Sequence, residues 1–118
     1  VLAGPPIKTL IDPVSPDELR RSTIGILREW WAPVLADQTR LQTAEYRAYA
    51  VLTMCRGLYT IQHGTVATKT KAANWCAGGP GRPWSALIHR ALAWRDGMEM
   101  DGIPETLELI QFTLREIG

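Results

Sequence analysis

Arg56 stands inside an apolar stretch, Met54-Cys55-Arg56-Gly57-Leu58-Tyr59, where a charge needs a reason. Thirteen residues later (69 − 56) comes Lys69, within Thr68-Lys69-Thr70-Lys71. That tetrapeptide reads as the first turn of a helix, where the helix dipole disfavours cations. An anion bound at that end explains two lysines there, because free backbone N–H groups and ammonium groups together suit phosphate. The plain alternatives are two solvated loop lysines, and an arginine that either snorkels its charge out of an apolar face or pairs with Glu45.

Aromatic residues offer a second kind of chemistry. The chain has five tryptophans and one phenylalanine, so the tryptophans carry most of the large-ring surface. Trp30 and Trp31 are adjacent and cannot both face one core stripe. One of them is expected at a surface, where a ring face can receive a cation or a sugar. Trp94 closes a helical pattern, Leu92-Ala93-Trp94-Arg95-Asp96-Gly97, as a packing residue or a ligand contact. His63 and His89 have no partner at metal-ligand spacing, so no zinc site is expected. There is no Gly-Ser pair followed by Asp-x-Asp to hold two magnesium ions, no phosphate-binding loop, no nucleophile elbow and no metalloprotease helix. The chain therefore reads as unable to carry out phosphoryl transfer alone.

The elements that must position these residues read as helices almost throughout, with no sustained period-two alternation. Pro5, Pro6 and Pro13 keep the first residues extended. Ser15-Pro16-Asp17-Glu18 is a capping-box start, and Leu19, Thr23, Ile26, Leu27, Trp30 and Val34 follow as its core face. Pro33 is expected to end or kink this helix. A second helix opens near Thr43, carries Tyr46, Ala50, Leu52, Tyr59 and Ile61, and stops at Gly64. A short third helix runs through Ala72, Ala73, Trp75 and Cys76 and breaks at Gly78-Gly79-Pro80-Gly81. A fourth spans about Pro83 to Asp96 with Gly97 as its stop. A fifth begins near Pro104 and carries Leu107, Ile110, Leu114 and Ile117. The fold class is all-α: a bundle of about five helices with an extended N-terminal linker segment.

At 118 residues the chain suits one domain large enough to bury a core. Hydrophobic residues make up 46% and charged residues 21%, a soluble globular balance. A net charge of +1 does not suit a protein that coats nucleic acid, and no apolar run is long enough to cross a bilayer, so neither is an expected partner. Cys55 and Cys76 read as buried free thiols, which fits a reducing cytoplasm. The opening Val1-Leu2-Ala3-Gly4-Pro5-Pro6 reads as a linker remnant, residues 1–14, ahead of a helical domain over 15–118.

The block Val51-Leu52-Thr53-Met54-Cys55-Arg56, then Tyr59-Thr60, Gly64, Thr68-Lys69 and Ala72-Ala73-Asn74-Trp75, resembles the C-terminal domain of the aminoglycoside 3''- and 9-adenylyltransferases. The linker of that family is similar to Gly4-Pro5 and Asp12-Pro13-Val14. The resemblance implies a domain that works with an N-terminal nucleotidyltransferase domain, which holds the metals and a glutamate base and is missing here. ATP with Mg2+ and the drug lie in the cleft between the two. The resemblance further implies that Arg56 and Lys69 contact the ATP phosphates and that Trp94 contacts the nucleotide. Carboxylates and aromatics ahead of the second helix, Asp37, Glu45, Trp30 and Trp31, take the polycationic drug. It implies no catalytic residue and no metal ligand in this domain, which alone is expected to be inactive and to bind no cofactor.

Two other readings stay open. Arg56 and His63 form an Arg-x6-His pair similar to the motif of HEPN ribonuclease domains, with the histidine as general acid/base and the arginine stabilising phosphorane charge. A non-catalytic helical interaction module is the other.

Overall fold

A computed structural model of the chain describes residues 15–117; the expected linker over 1–14 lies outside the described residues. Those described form five α-helices and two short 3-10 turns, without a strand.

Helix α1, Pro16–Ala36, starts as its first residues dictate. The Ser15 hydroxyl oxygen accepts the Glu18 N–H at 3.2 Å and donates to the Glu18 carboxylate at 3.0 Å. One orphan N–H of the first turn is thereby satisfied. A 3-10 turn, Thr39–Gln42, leads into α2, Ala44–His63. The Thr43 hydroxyl accepts the Tyr46 N–H at 3.2 Å and opens α2. Gly64 closes it at φ +74°, its N–H reaching the Thr60 carbonyl at 2.7 Å. That left-handed conformation favours glycine.

Helix α2 is the axis of the bundle and packs against every other helix. Ala50, Val51, Met54 and Cys55 are fully enclosed. Helix α3, Lys69–Ala77, is capped by the Thr68 hydroxyl, which accepts the Lys71 N–H at 3.2 Å. The 3-10 turn Arg82–Trp84 feeds α4, Ser85–Ala93. Gly81 makes the reversal between α3 and α4 possible: a Cβ there would stand 2.5 Å from the Cys76 sulfur and 2.9 Å from Ile88. Helix α5, Ile103–Ile117, lays Leu109 and Ile110 into the core.

Three expectations are corrected. The buried face of α1 runs through Leu27, Trp31 and Val34, whereas Ile26 and Trp30 are 54% and 57% exposed. Steps of four and three from Leu27 reach Trp31 and Val34. The Trp31 ring there meets Tyr46 at 5.6 Å and Tyr49 at 5.8 Å. Pro33 does not end α1, which continues to Ala36. Pro33 forfeits the bond to the carbonyl four residues back, but its fixed φ suits a helix and the residues after it stay helical, with the Asp37 N–H on the Pro33 carbonyl at 3.0 Å. Helix α4 is shorter than Pro83–Asp96 at both ends. Pro83 lies in the 3-10 turn and the backbone is already extended at Trp94. Gly97, at φ +86°, bends the turn beyond α4 instead of stopping the helix.

Cys55 and Cys76 are buried free thiols on neighbouring helices. The hydrogen bond with Cys76 and burial both push the Cys55 thiol well up, so it stays protonated and inert.

Candidate functional site

On α2, Glu45, Tyr49, Leu52, Thr53 and Arg56 follow at steps of three and four or as neighbours, so they share one face. That face lies open between α3 and the end of α4, and a groove of about 580 Å³ forms over it. The N-terminal turn of α3 contributes Lys69 and Thr70 to one wall. The end of α4 and the residues after it contribute Ala91, Leu92, Trp94, Arg95 and Asp96 to another. From Glu45 to Arg56 along α2 is about 16 Å at the helical rise of about 1.5 Å per residue. The α2 face is therefore polarised, with a carboxylate and Tyr49 towards its start and a guanidinium towards its end.

None of these charges is neutralised by a neighbour. Among the described residues the one side-chain ion pair joins Arg20 to Asp17 at 3.1 Å, away from the groove. Arg56 and Lys69 are exposed and have no hydrogen-bonding partner there. The alternative of an Arg56–Glu45 pair therefore does not hold. Trp94 is half-buried and fixed, its indole N–H donating to the Met98 carbonyl at 3.0 Å. Arg47, also on α2, bonds two segments outside the groove's lining. Its guanidinium donates to the Met100 carbonyl at 2.7 Å and to the Leu41 carbonyl at 2.6 Å. One side chain thus holds both the segment entering α2 and the loop carrying Trp94 to Asp96.

Of the residues singled out in the sequence, Arg56, Lys69, Trp94 and Glu45 line this groove. Trp30 and Asp37 do not. They line a separate, smaller hollow of about 280 Å³ beside α1, together with Glu29, Pro33, Val34 and Arg40. Trp31 lines neither and is buried in the stack with Tyr46. Asp37 accepts bonds from the Thr39 hydroxyl and from the Thr39 N–H, the latter at 3.1 Å. These bonds hold its carboxyl below the usual carboxylate range. Lys71 turns from the groove to the face of Tyr59, 5.8 Å from its centroid.

His63 lies outside the groove, one turn and more beyond Arg56. Its ring stacks on Tyr59 at 4.1 Å and meets the edge of Trp75 at 5.1 Å, with Nδ1 on the Tyr59 carbonyl at 3.0 Å. His63 does not line the groove that Arg56 lines.

Sequence reasoning missed Tyr49, Thr53, Thr70, Arg95 and Asp96. Tyr49 and Thr53 carried a usable signal, since they fall four and eight residues after Glu45 and seven and three before Arg56. Thr70 follows Lys69 in the first turn of α3, and Arg95 and Asp96 depend on where α4 ends, which its apolar pattern does not reveal.

Residues 9–116 match a family model described as aminoglycoside adenylyltransferase, C-terminal domain. No curated protein and no solved structure matches the chain.

Proposed function

We propose a function from one premise: the chain belongs to the aminoglycoside adenylyltransferase C-terminal domain family. It is the nucleotide- and substrate-binding part of an enzyme that transfers AMP from ATP to an aminoglycoside hydroxyl, and so confers antibiotic resistance. The observation that carries this reading is the groove itself, where Arg56 and Glu45 of α2, Lys69 of α3 and Trp94 just beyond α4 line one surface.

In adenylyl transfer the drug hydroxyl forms a bond to the α-phosphorus while the bond to pyrophosphate breaks. Negative charge grows on the departing phosphates. Arg56 and Lys69 bring donors to that growing charge, and interactions that strengthen as the charge grows lower the barrier more than they tighten ground-state binding. The Trp94 face packs against the nucleotide, and its bond to Met98 keeps the ring from swinging away. Glu45 accepts hydrogen bonds from drug ammonium groups, with the 57%-exposed Tyr49 offering a ring face beside it.

Magnesium, when bound, supplies further charge neutralisation at the phosphates. Among the described residues no three His, Cys, Asp or Glu side chains stand together, and the groove's carboxylates, Glu45 and Asp96, do not make a magnesium cage. This reading assigns the metal and the base that takes the hydroxyl proton to the N-terminal domain that the family implies. This chain binds and orients.

The test is pyrophosphate release with ATP, magnesium, and streptomycin or spectinomycin. The chain alone gives none above background, and the chain joined to an N-terminal nucleotidyltransferase domain gives drug-dependent release. Release by the chain alone overturns the division of labour. A joined protein that uses and binds neither drug overturns the substrate.

A further inference from the structure

Arg95 was not singled out by its sequence context, yet it lines the same groove as Arg56 and Lys69. Its guanidinium is anchored before any ligand arrives. Nη1 donates to the Trp94 carbonyl at 2.8 Å and to the Leu92 carbonyl at 3.3 Å, at the C-terminal end of α4. Those carbonyls carry the negative end of the helix dipole and hold the cation in place. The anchor uses one nitrogen only. An arginine has five N–H donors, so the Nε–Nη2 edge keeps about three. No acceptor among the described residues meets them, and neighbouring Asp96 forms no ion pair with Arg95. That edge is the fork that binds two oxygens of one phosphate.

We propose that Arg95 is the third cation of a phosphate clamp, and that it makes the groove select a chain of several phosphates over a single one. The inference rests on the reading of the groove as a nucleotide site. The three cations come from three different elements: Arg56 from α2, Lys69 from the start of α3 and Arg95 from beyond the end of α4. A single phosphate presents its oxygens at one point, whereas a triphosphate presents them along a chain, which suits cations held on separate elements. Arg95 is exposed, so its replacement leaves the core untouched.

The experiment is calorimetric titration of the chain at low salt with orthophosphate, pyrophosphate and tripolyphosphate. Affinity rises with chain length in the unmodified protein. Arg95→Gln weakens tripolyphosphate about tenfold, the lower range for a charge-assisted bond, and changes orthophosphate little. Arg95→Lys recovers part of the loss, because a point charge returns without the fork. Arg56→Ala weakens every phosphate length. If Arg95→Gln binds tripolyphosphate as the unmodified chain does while Arg56→Ala does not, the third arm is refuted and the groove reading stands. Equal losses at all three lengths refute the selectivity. No binding of any length by the unmodified chain overturns the clamp, while the use of ATP by the joined protein tests the nucleotide reading separately.

Discussion

Glu45 and Asp37 are carboxylates eight residues apart (45 − 37), each beside an exposed aromatic ring, yet they belong to two different kinds of surface. Glu45 opens onto the groove with Tyr49, and neither it nor the groove's cations are neutralised within the chain. Asp37 sits in the hollow beside α1 with Trp30 at 57% exposure, and its oxygen already accepts two bonds from Thr39. The hollow uses its polar groups to shape the turn between α1 and α2. The groove leaves the side chains of Glu45, Arg56 and Lys69 without a partner among the described residues. Composition does not separate the two regions; local hydrogen bonding does.

The strongest way to break that contrast is to remove the charge at the Arg56 end of the groove. In the protein that joins this domain to its N-terminal partner, Arg56→Ala lowers kcat/KM for ATP by about ten- to a hundredfold, since a charge-assisted hydrogen bond contributes roughly 1.5–3 kcal/mol. Drug affinity changes far less. Steady-state kinetics with ATP as the varied substrate decides the point, and unchanged ATP kinetics would return Arg56 to a solvated side chain on an apolar helix.

A smaller effect sharpens the contrast between the two carboxylates. Glu45→Gln weakens streptomycin or spectinomycin binding about two- to fivefold, in line with roughly 0.2–1 kcal/mol for an exposed charge pair. Asp37→Asn leaves it unchanged. Calorimetric titration of each variant of the joined protein, with ATP and magnesium present, measures both. A loss at Asp37 equal to that at Glu45 would move the drug to the hollow.

Much of the fold was legible because caps are local chemistry. Ser15, Thr43, Thr68 and Gly64 each act within one turn, and the structure uses each as its sequence context implies. The face of α1 was less legible. Trp30 and Trp31 differ by about 100° around the helix, and only tertiary partners, Tyr46 and Tyr49, decide which is buried. The end of α4 was illegible for a similar reason. The apolar pattern runs past Ala93, but the turn from Arg95 to Met98 competes for the backbone, with the Met98 N–H on the Arg95 carbonyl at 3.0 Å. For the site, the cations stood out because a charge in an apolar run is conspicuous. Tyr49 and Arg95 did not, since an exposed tyrosine and an arginine near a helix end are ordinary until a groove is seen to include them.

The smallest expected effect tests whether the Asp37 carboxylate is committed to its own turn. The hydroxyl and N–H of Thr39 both donate to it, so its pKa in the folded chain lies below the ordinary value. A carboxyl with a depressed folded pKa adds stability that is present above its unfolded pKa, about 3.9, and disappears as pH falls through the folded value. Asp37 is fully exposed, so the contribution is slight, and the sign is the informative part. The substitution Asp37→Asn is the right comparison, because an asparagine side-chain carbonyl can still accept from Thr39 while carrying no charge to titrate. Thermal midpoints measured from pH 6 down to pH 2 should show Asp37→Asn a little less stable at the upper end. The gap should close below about pH 4 as the carboxylate takes up its proton. Two parallel curves would mean that the charge does nothing for the turn. Asp37 would then be as uncommitted as Glu45, and the hollow beside α1 would lose the property that distinguishes it from the groove.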